Sequence, residues 1–450
     1  MLRRKISSEL QRWLNTDHKL LYIVGARQVG KTYILKKLIN DNFENRVYVN
    51  ILGDARTYNV LRKSQSAQDF IERIINLYPV LEKENSAIFI DEIQVFYDED
   101  SSLKDNNDKK IFDILTLSKE IVINTDIRFI FSGSLLGSIS SSVRSFPEGY
   151  CLMYQMYPLD FEEFMWANDI SEKTISDLKY SFDNLEPVKD YVHDDLIRLY
   201  KIYLMVGGMP EAVATYVDKH NFNDVEAVHK SIEEFIQFDI SQYAPKKDKI
   251  HIKNIYKLLP SELNKENKRF ILSDIESKSK NNKLETAFEW IHGAGVSLPV
   301  YNTSSPELPL EINKKSTLVK VFHEDVGILT YLLFKASAKL SLIDGDISIN
   351  YGSIYENAVA QSLNSHGFPL YYYNSKKQGE LDFIIEYDNS VLPIEVKSGK
   401  DYQKHSALDN IMKIKDYRIE KSFVLCNQNL YVDENIIYLP IYMVDFIQKR

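Results

Sequence analysis

Residues 25–32 read GARQVGKT, the G-x-x-x-x-G-K-[ST] spacing of a loop built to hold phosphate. Gly25 and Gly30 let the backbone aim its N–H groups at phosphate oxygens, with Ala26, Arg27, Gln28 and Val29 supplying the intervening amides. Lys31 would balance β- and γ-phosphate charge, and the Thr32 hydroxyl would ligate Mg²⁺. The apolar run LLYIV before the loop and TYILKKLI after it are the strand and helix such a loop joins, so ATP and Mg²⁺ are the expected ligands. Downstream, SAIFIDEIQ is an apolar strand ending in two acids. Asp91 is expected to hold Mg²⁺ through water, and Glu92 to act as the general base on an attacking water. The strand RFIFSGSLLG delivers Ser132 and Ser134 to the same edge, where a hydroxyl would meet the γ-phosphate or cap a helix. Arg144, in SSVRSF, is a candidate to reach the γ-phosphate in cis or across an oligomer interface, against the reading of an exposed structural arginine.

A second constellation lies near the C-terminus. GELDFII supplies Asp382, and LPIEVKSG presents Glu395 and Lys397 on one face of a strand, because strand side chains alternate with period two. A pair of charges on a half-exposed strand is the plainer alternative. The Asp…Glu-x-Lys order between strands resembles the PD-(D/E)xK nuclease fold. That resemblance implies that Asp382 and Glu395 bind Mg²⁺ or Mn²⁺ and that Lys397 positions or activates water for phosphodiester cleavage. It also implies that Glu356, on the preceding helix YENAVAQSL, completes the metal site. His405 opens the next helix, where it would contact phosphate or simply face solvent.

The elements that must position these residues can be read from periodicity. Between residues 21 and 157, LLYIV, RVYVNI, AIFID, RFIFSGS and CLMYQM alternate with helical patterns, which predicts an α/β, doubly wound parallel sheet. A helix-rich stretch follows to about residue 243, broken by the turn-forming VGGMPEAV. Ile252, Ile255, Tyr256 and Leu259, then Leu284, Ala287, Phe288 and Ile291, mark two amphipathic helices. The strands SLPVYN and TLVKVFH come next, an order that suits a winged helix. From residue 354 the pattern is helix, three strands, helix, strand. The expected division is 1–243 for an ATPase domain with a helical extension, 244–335 for a winged-helix-like domain and 336–450 for a nuclease-like α/β domain.

GARQVGKT, FIDEIQ, FSGSLLG, YPLDFEEF (157–164), YLMVGGMPEAV (203–213) and HEDVGILTYLL (323–333) together resemble a large prokaryotic family of ATP-binding proteins. Its members have an N-terminal AAA-type domain and a C-terminal domain of unknown function. The resemblance implies an ATPase, a winged-helix-like middle and a nuclease-like end. One departure is Val143, which stands where that family has a glycine before the arginine. A net charge of −9 argues against a generally basic nucleic-acid coat. Residues 246–283 nevertheless hold eleven Lys/Arg against five Asp/Glu, which fits either a duplex-contacting surface or a solvated helix face. Two widely separated cysteines and no run of eighteen apolar residues point to the reducing cytoplasm and away from membranes. The expected partners are ATP and nucleic acid, DNA ahead of RNA, with a homo-oligomer open. The leading expectation is an ATPase whose nucleotide cycle regulates a metal-dependent nuclease-like domain. The competing one is a nucleotide-dependent switch that binds a protein or DNA partner without cutting it.

Overall fold

The computed structural model describes residues 2–15, 18–97, 113–133, 149–265, 270, 282–334 and 351–449. The chain forms two compact units. The first comprises Arg4–Tyr157 with Gly293–Gly295, and the second comprises Met1–Arg3, Pro158–His292 and Val296–Arg450.

In the first unit the five apolar runs become β1 (Leu20–Gly25), β2 (Asn45–Asn50), β3 (Ser86–Asp91), β4 (Arg128–Gly133) and β5 (Cys151–Met156). They pair in parallel in the order β2-β3-β4-β1-β5. Every residue of β1 and β3 is buried, as expected of central strands in a parallel sheet covered on both faces. This order puts the C-terminal ends of β1, β3 and β4 side by side, and the chemistry-bearing residues sit at those ends. Gly25 has no substitute here, because a Cβ would lie 2.2 Å from the Met156 carbonyl oxygen.

The second unit holds an eight-stranded mixed sheet. Its strands are β6 (Ser297–Thr303), β7 (Lys314–His323), β8 (Tyr371–Ser375), β9 (Gly379–Tyr387), β10 (Ser390–Val396), β11 (Ser422–Cys426), β12 (Tyr431–Asp433) and β13 (Ile436–Pro440). They lie in the order β12-β13-β11-β10-β9-β8-β6-β7. The two strands expected to belong to a separate winged helix are therefore the edge of the C-terminal sheet, with β6 running parallel to β8 at Tyr301↔Tyr371. The sheet runs across the expected boundary at 335/336. The physical reason is edge satisfaction: an isolated two-strand hairpin leaves both edges unpaired, and β8 covers one of them. The helix Lys249–Leu263 buries Ile252, Ile255, Tyr256 and Leu259, the stripe its spacing announced.

Three sequence signatures without an obvious chemistry meet in this unit. Asp325 Oδ2 accepts the Gly208 N–H at 2.7 Å, and its Oδ1 accepts the Ile328 N–H at 3.0 Å, capping the helix Val326–Leu333. Leu159 donates its N–H to the Gly208 carbonyl at 2.7 Å and accepts the Tyr203 hydroxyl at 2.9 Å. No side chain fits at Gly208, where a Cβ would stand 2.0 Å from the Leu159 carbonyl oxygen. Thr330 Oγ1 donates to the Leu204 carbonyl at 2.7 Å, and Asn357 Oδ1 accepts the His323 N–H at 2.7 Å.

Burial pushes His323 down to about 4, and its Nδ1 serves as an acceptor for the Asp325 N–H at 3.0 Å. The folded protein therefore refuses a proton that the unfolded chain takes up below pH 6.5, and stability is lost as pH falls from 6.5 toward 4. That loss amounts to about 3 kcal/mol. Glu324 and Asp325 act in the opposite sense: burial raises them to about 8 and about 6, so their contribution declines as pH rises through those values. His323→Gln is expected to flatten the acid limb, seen as a smaller drop in urea midpoint between pH 7 and pH 5 than in the wild type.

Candidate functional site

The phosphate loop opens a helix, Lys31–Asn42, whose first three amides precede the first intrahelical bond, from the Ile34 N–H to the Gly30 carbonyl, and whose dipole favours an anion at this end. Gln28 and Gly30 take left-handed φ values of 62° and 97°, which turn the loop around the space that a phosphate would fill. Lys31 is buried and donates from Nζ to the Gly25 and Ala26 carbonyls at 2.9 and 2.7 Å. Burial lowers its pKa to about 8 against the pull of Glu92 and Asp91. A bound phosphate would supply the compensating charge that these neutral carbonyls cannot.

Asp91 gathers its neighbours at the tip of β3. Its Oδ2 accepts the Thr32 hydroxyl at 2.7 Å and the Tyr48 hydroxyl at 3.3 Å, and its Oδ1 accepts the Ser132 hydroxyl and the Glu92 N–H. A carboxylate and a threonine hydroxyl in contact are the oxygen donors that Mg²⁺ asks for, so the residues present fit the ion. Glu92 sits in the left-handed region at φ 64°, an unfavoured conformation for a residue with a side chain. Gln94, buried behind it, donates its amide to Glu92 Oε2. Ser134 and Arg144 lie outside the described residues.

Sequence reasoning passed over three contributors to this site. Arg4 holds the loop from outside by donating to the Val29 carbonyl at 2.9 Å and the Tyr157 carbonyl at 2.6 Å. Tyr48, with the Lys36 ammonium 3.7 Å over its ring, is pushed up to about 12 by burial and by Asp91. Gln94 stands inside FIDEIQ, and only its position after the two acids could have marked it.

In the second unit, Glu356, Asp382, Glu395 and Lys397 share one electrostatic neighbourhood. Lys397 Nζ lies 2.8 Å from Glu395 Oε1, while Glu395 Oε2 is buried and has no hydrogen-bond partner among the described residues. Burial pushes Glu395 up to about 8, with Asp382 adding to the rise and Lys397 opposing it. The pairing of β8 with β9 shifts register between Tyr371 and Tyr373, opposite the segment that carries Asp382. Asp382 Oδ2 accepts the Val396 N–H at 2.8 Å, which fixes its carboxylate beside the end of β10. Sequence reasoning missed Lys320 on β7, which is buried, lies 2.6 Å from Glu380 and feels Glu356 and Asp382. A lone lysine inside the apolar run LVKVF was the available signal. Among the described residues, no group of three or more His, Cys, Asp or Glu side chains is disposed to hold a metal ion. His405 is buried between Asp409, 2.9 Å from Nδ1, and the Tyr438 hydroxyl, 2.7 Å from Nε2, and so does not face solvent as a free surface histidine would.

With this geometry in place, the first unit is recognisable as an AAA-type P-loop ATPase domain whose ligand is ATP, and residues 17–165 match the family model for an AAA domain. Residues 197–339 match a domain of unknown function (DUF8612), and residues 351–444 match another (DUF4143). The chain is 22% identical over 430 residues to the uncharacterized protein MJ1544 of Methanocaldococcus jannaschii, covering 90% of this chain and 83% of that one. Among solved structures, the Walker-type ATPase PABY2304 of Pyrococcus abyssi is 11% identical, with a TM-score of 0.44 over 74% of this chain and 96% of that one. The S. cerevisiae Hsp104–ADP complex is 14% identical, with a TM-score of 0.28 over 65% of this chain and 38% of that one. No helix among the described residues is long and apolar enough to cross a membrane.

Lys31→Ala is expected to lower ATP affinity by roughly a hundredfold, because a charge-assisted contact to phosphate is removed. Titration with a fluorescent ATP analogue measures it, and unchanged affinity would remove the phosphate-loop assignment.

Proposed function

We propose that the chain hydrolyses ATP in the cytoplasm and that its nucleotide cycle regulates a metal-dependent site in the C-terminal sheet that cleaves nucleic acid, DNA ahead of RNA. The observation that carries the first half is the convergence of Thr32, Ser132 and Tyr48 on Asp91 with Glu92 alongside. Mg²⁺, when bound, supplies charge to the β- and γ-phosphates. Lys31 exchanges its loop carbonyls for phosphate oxygens, Glu92 takes the proton of the attacking water, and Gln94 orients that carboxylate. Ser134 and Arg144 are assigned to the γ-phosphate side, with Arg144 acting in cis or across a homo-oligomer.

For the C-terminal half, support comes from the shared field of Glu356, Asp382, Glu395 and Lys397 and from Glu395 Oε2, which is buried with no partner among the described residues; both suit a cation better than an apolar core. A divalent cation bound there would polarise a phosphodiester. Glu356, Asp382 and Glu395 would hold it, and Lys397 would orient water. The basic residues between 246 and 283 would meet the nucleic-acid backbone. A second reading, a nucleotide-dependent switch that binds DNA or a protein without cutting, is favoured by one observation. The acids are not disposed as a ready three-ligand group, and Lys397 is already engaged by Glu395.

Glu92→Gln is expected to retain bound ATP while slowing hydrolysis about a hundredfold or more, since the amide keeps the shape but cannot accept a proton. Single-turnover phosphate release measures this, and near-normal turnover would move the base elsewhere. Asp382→Ala is expected to abolish Mg²⁺- or Mn²⁺-dependent cleavage and leave ATP hydrolysis intact, because the two residues lie in different compact units. DNA and RNA substrates with ATP and metal each supplied or withheld decide between the readings. Cleavage by neither, with ATP altering assembly, selects the switch.

A further inference from the structure

Beyond Tyr157, only Gly293–Gly295 belongs to the first unit, while the flanking His292 and Val296 belong to the second. This segment closes the helix Asn282–Gly293. Gly295 takes the left-handed conformation at φ 68°, and the Val296 N–H reaches back to the Ile291 carbonyl at 3.2 Å, the bond of a glycine-capped helix end. His292 Nδ1 donates to the Ser297 carbonyl at 2.8 Å, and the Glu324 N–H donates to the Val296 carbonyl at 3.1 Å. The turn is thereby tied to the start of β6 and to the residue that follows β7.

Gly367 ends the helix Gly352–Ser365 in the same manner, at φ 79° with the Phe368 N–H on the Leu363 carbonyl at 3.1 Å. The surroundings of the two glycines differ. A Cβ at Gly367 would meet no atom within 4 Å, whereas one at Gly295 would stand 2.8 Å from Ala26 Cβ and 2.9 Å from Ala26 Cα. Carbon atoms pack at about 3.5–4.0 Å, so a side chain at 295 would have to drive the turn and the phosphate loop apart. Helix capping accounts for both glycines, and contact with the phosphate loop constrains only Gly295. Ala26 also carries the ligand-dependent bond of the loop, because its carbonyl accepts Lys31 Nζ at 2.7 Å. When Lys31 turns to phosphate, that bond is given up, and the residue released is the one packed on Gly295.

We propose that the Gly293–Gly295 turn is a working part of the ATP site: it seats the phosphate loop through Ala26, responds when nucleotide occupies the loop, and passes the response along the chain to Val296 and β6. Gly295 is on this account a positioning residue that acts through Ala26. The inference rests on the reading of residues 25–32 as an ATP site, and its test separates the two.

Full-length protein is titrated with a fluorescent ATP analogue in Mg²⁺, and amide hydrogen exchange is read residue by residue with and without Mg²⁺ and a non-hydrolysable ATP analogue. In the wild type, bound nucleotide is expected to change exchange of the Val296 amide about threefold or more. Asparagine accepts the left-handed conformation but carries a Cβ, so Gly295→Asn and Gly367→Asn alter the two helix ends alike and differ in what that Cβ meets. Gly367→Asn is expected to keep wild-type nucleotide affinity. Gly295→Asn is expected to lose about fivefold or more, because a turn that responds to nucleotide must affect its binding in return. Should Gly295→Asn fail to fold, the exchange measurement on the wild type decides alone. Wild-type affinity in Gly295→Asn, equal losses in both variants, or a Val296 amide indifferent to bound nucleotide each overturn the inference and leave ATP binding standing. A wild-type protein that binds no nucleotide overturns the ATP site and the inference together.

Discussion

One buried carboxylate, Asp325, ties the second unit together. A fully buried carboxylate is unfavourable on its own, and Asp325 is tolerated because backbone N–H groups of Gly208, Met209, Gly327 and Ile328 point at it. Those donors come from two segments more than a hundred residues apart in sequence, so satisfying the charge obliges the helix Val326–Leu333 to dock against the turn after Val206. The turn can approach only because Gly207, at φ 71°, and Gly208 carry no side chain. Leu159 then fits against Gly208, which draws the YPLDFEEF segment into the same junction.

The nucleotide site follows a related logic with a different use of its donors. Around Asp91 the hydroxyls of Thr32, Tyr48 and Ser132 are already satisfied, so the site holds its shape without relying on ligand. Lys31 by contrast rests on two neutral carbonyls, an arrangement that a phosphate outcompetes because the contact becomes charge-assisted. Glu92 is held in a left-handed backbone conformation, a cost of order 1–3 kcal/mol that the fold supports elsewhere. Rigid acids beside an exchangeable lysine are what a site needs if ligand binding is to change it without dismantling it.

Around Asp382 the contest is between burial and charge. Desolvation drives Glu395 toward its neutral form, while the same desolvation fails to discharge Lys320 because three carboxylates surround it. Lys320 reaches this cluster because β6 and β7 extend the C-terminal sheet instead of standing apart from it.

The sequence by itself determined the five parallel strands, the phosphate loop, the acids at the end of β3 and the helix–strand order as far as β11, but not β12 and β13 beyond it. Each of these depends on local rules: period-two and period-3.6 patterns, glycine at tight turns, and fixed spacing along one element. Tertiary structure alone decided the rest. Arg4 meets Val29 and Tyr157, and Lys320 meets Glu380, Glu356 and Asp382, across separations that no local pattern encodes. The pairing of β6 with β8 was equally hidden, because a strand's own residues announce that it is a strand but not which edge it will join. Which partner a buried charge finds is settled only when the chain has closed, since the energy at stake belongs to the surrounding dielectric and neighbouring charges, and not to the residue.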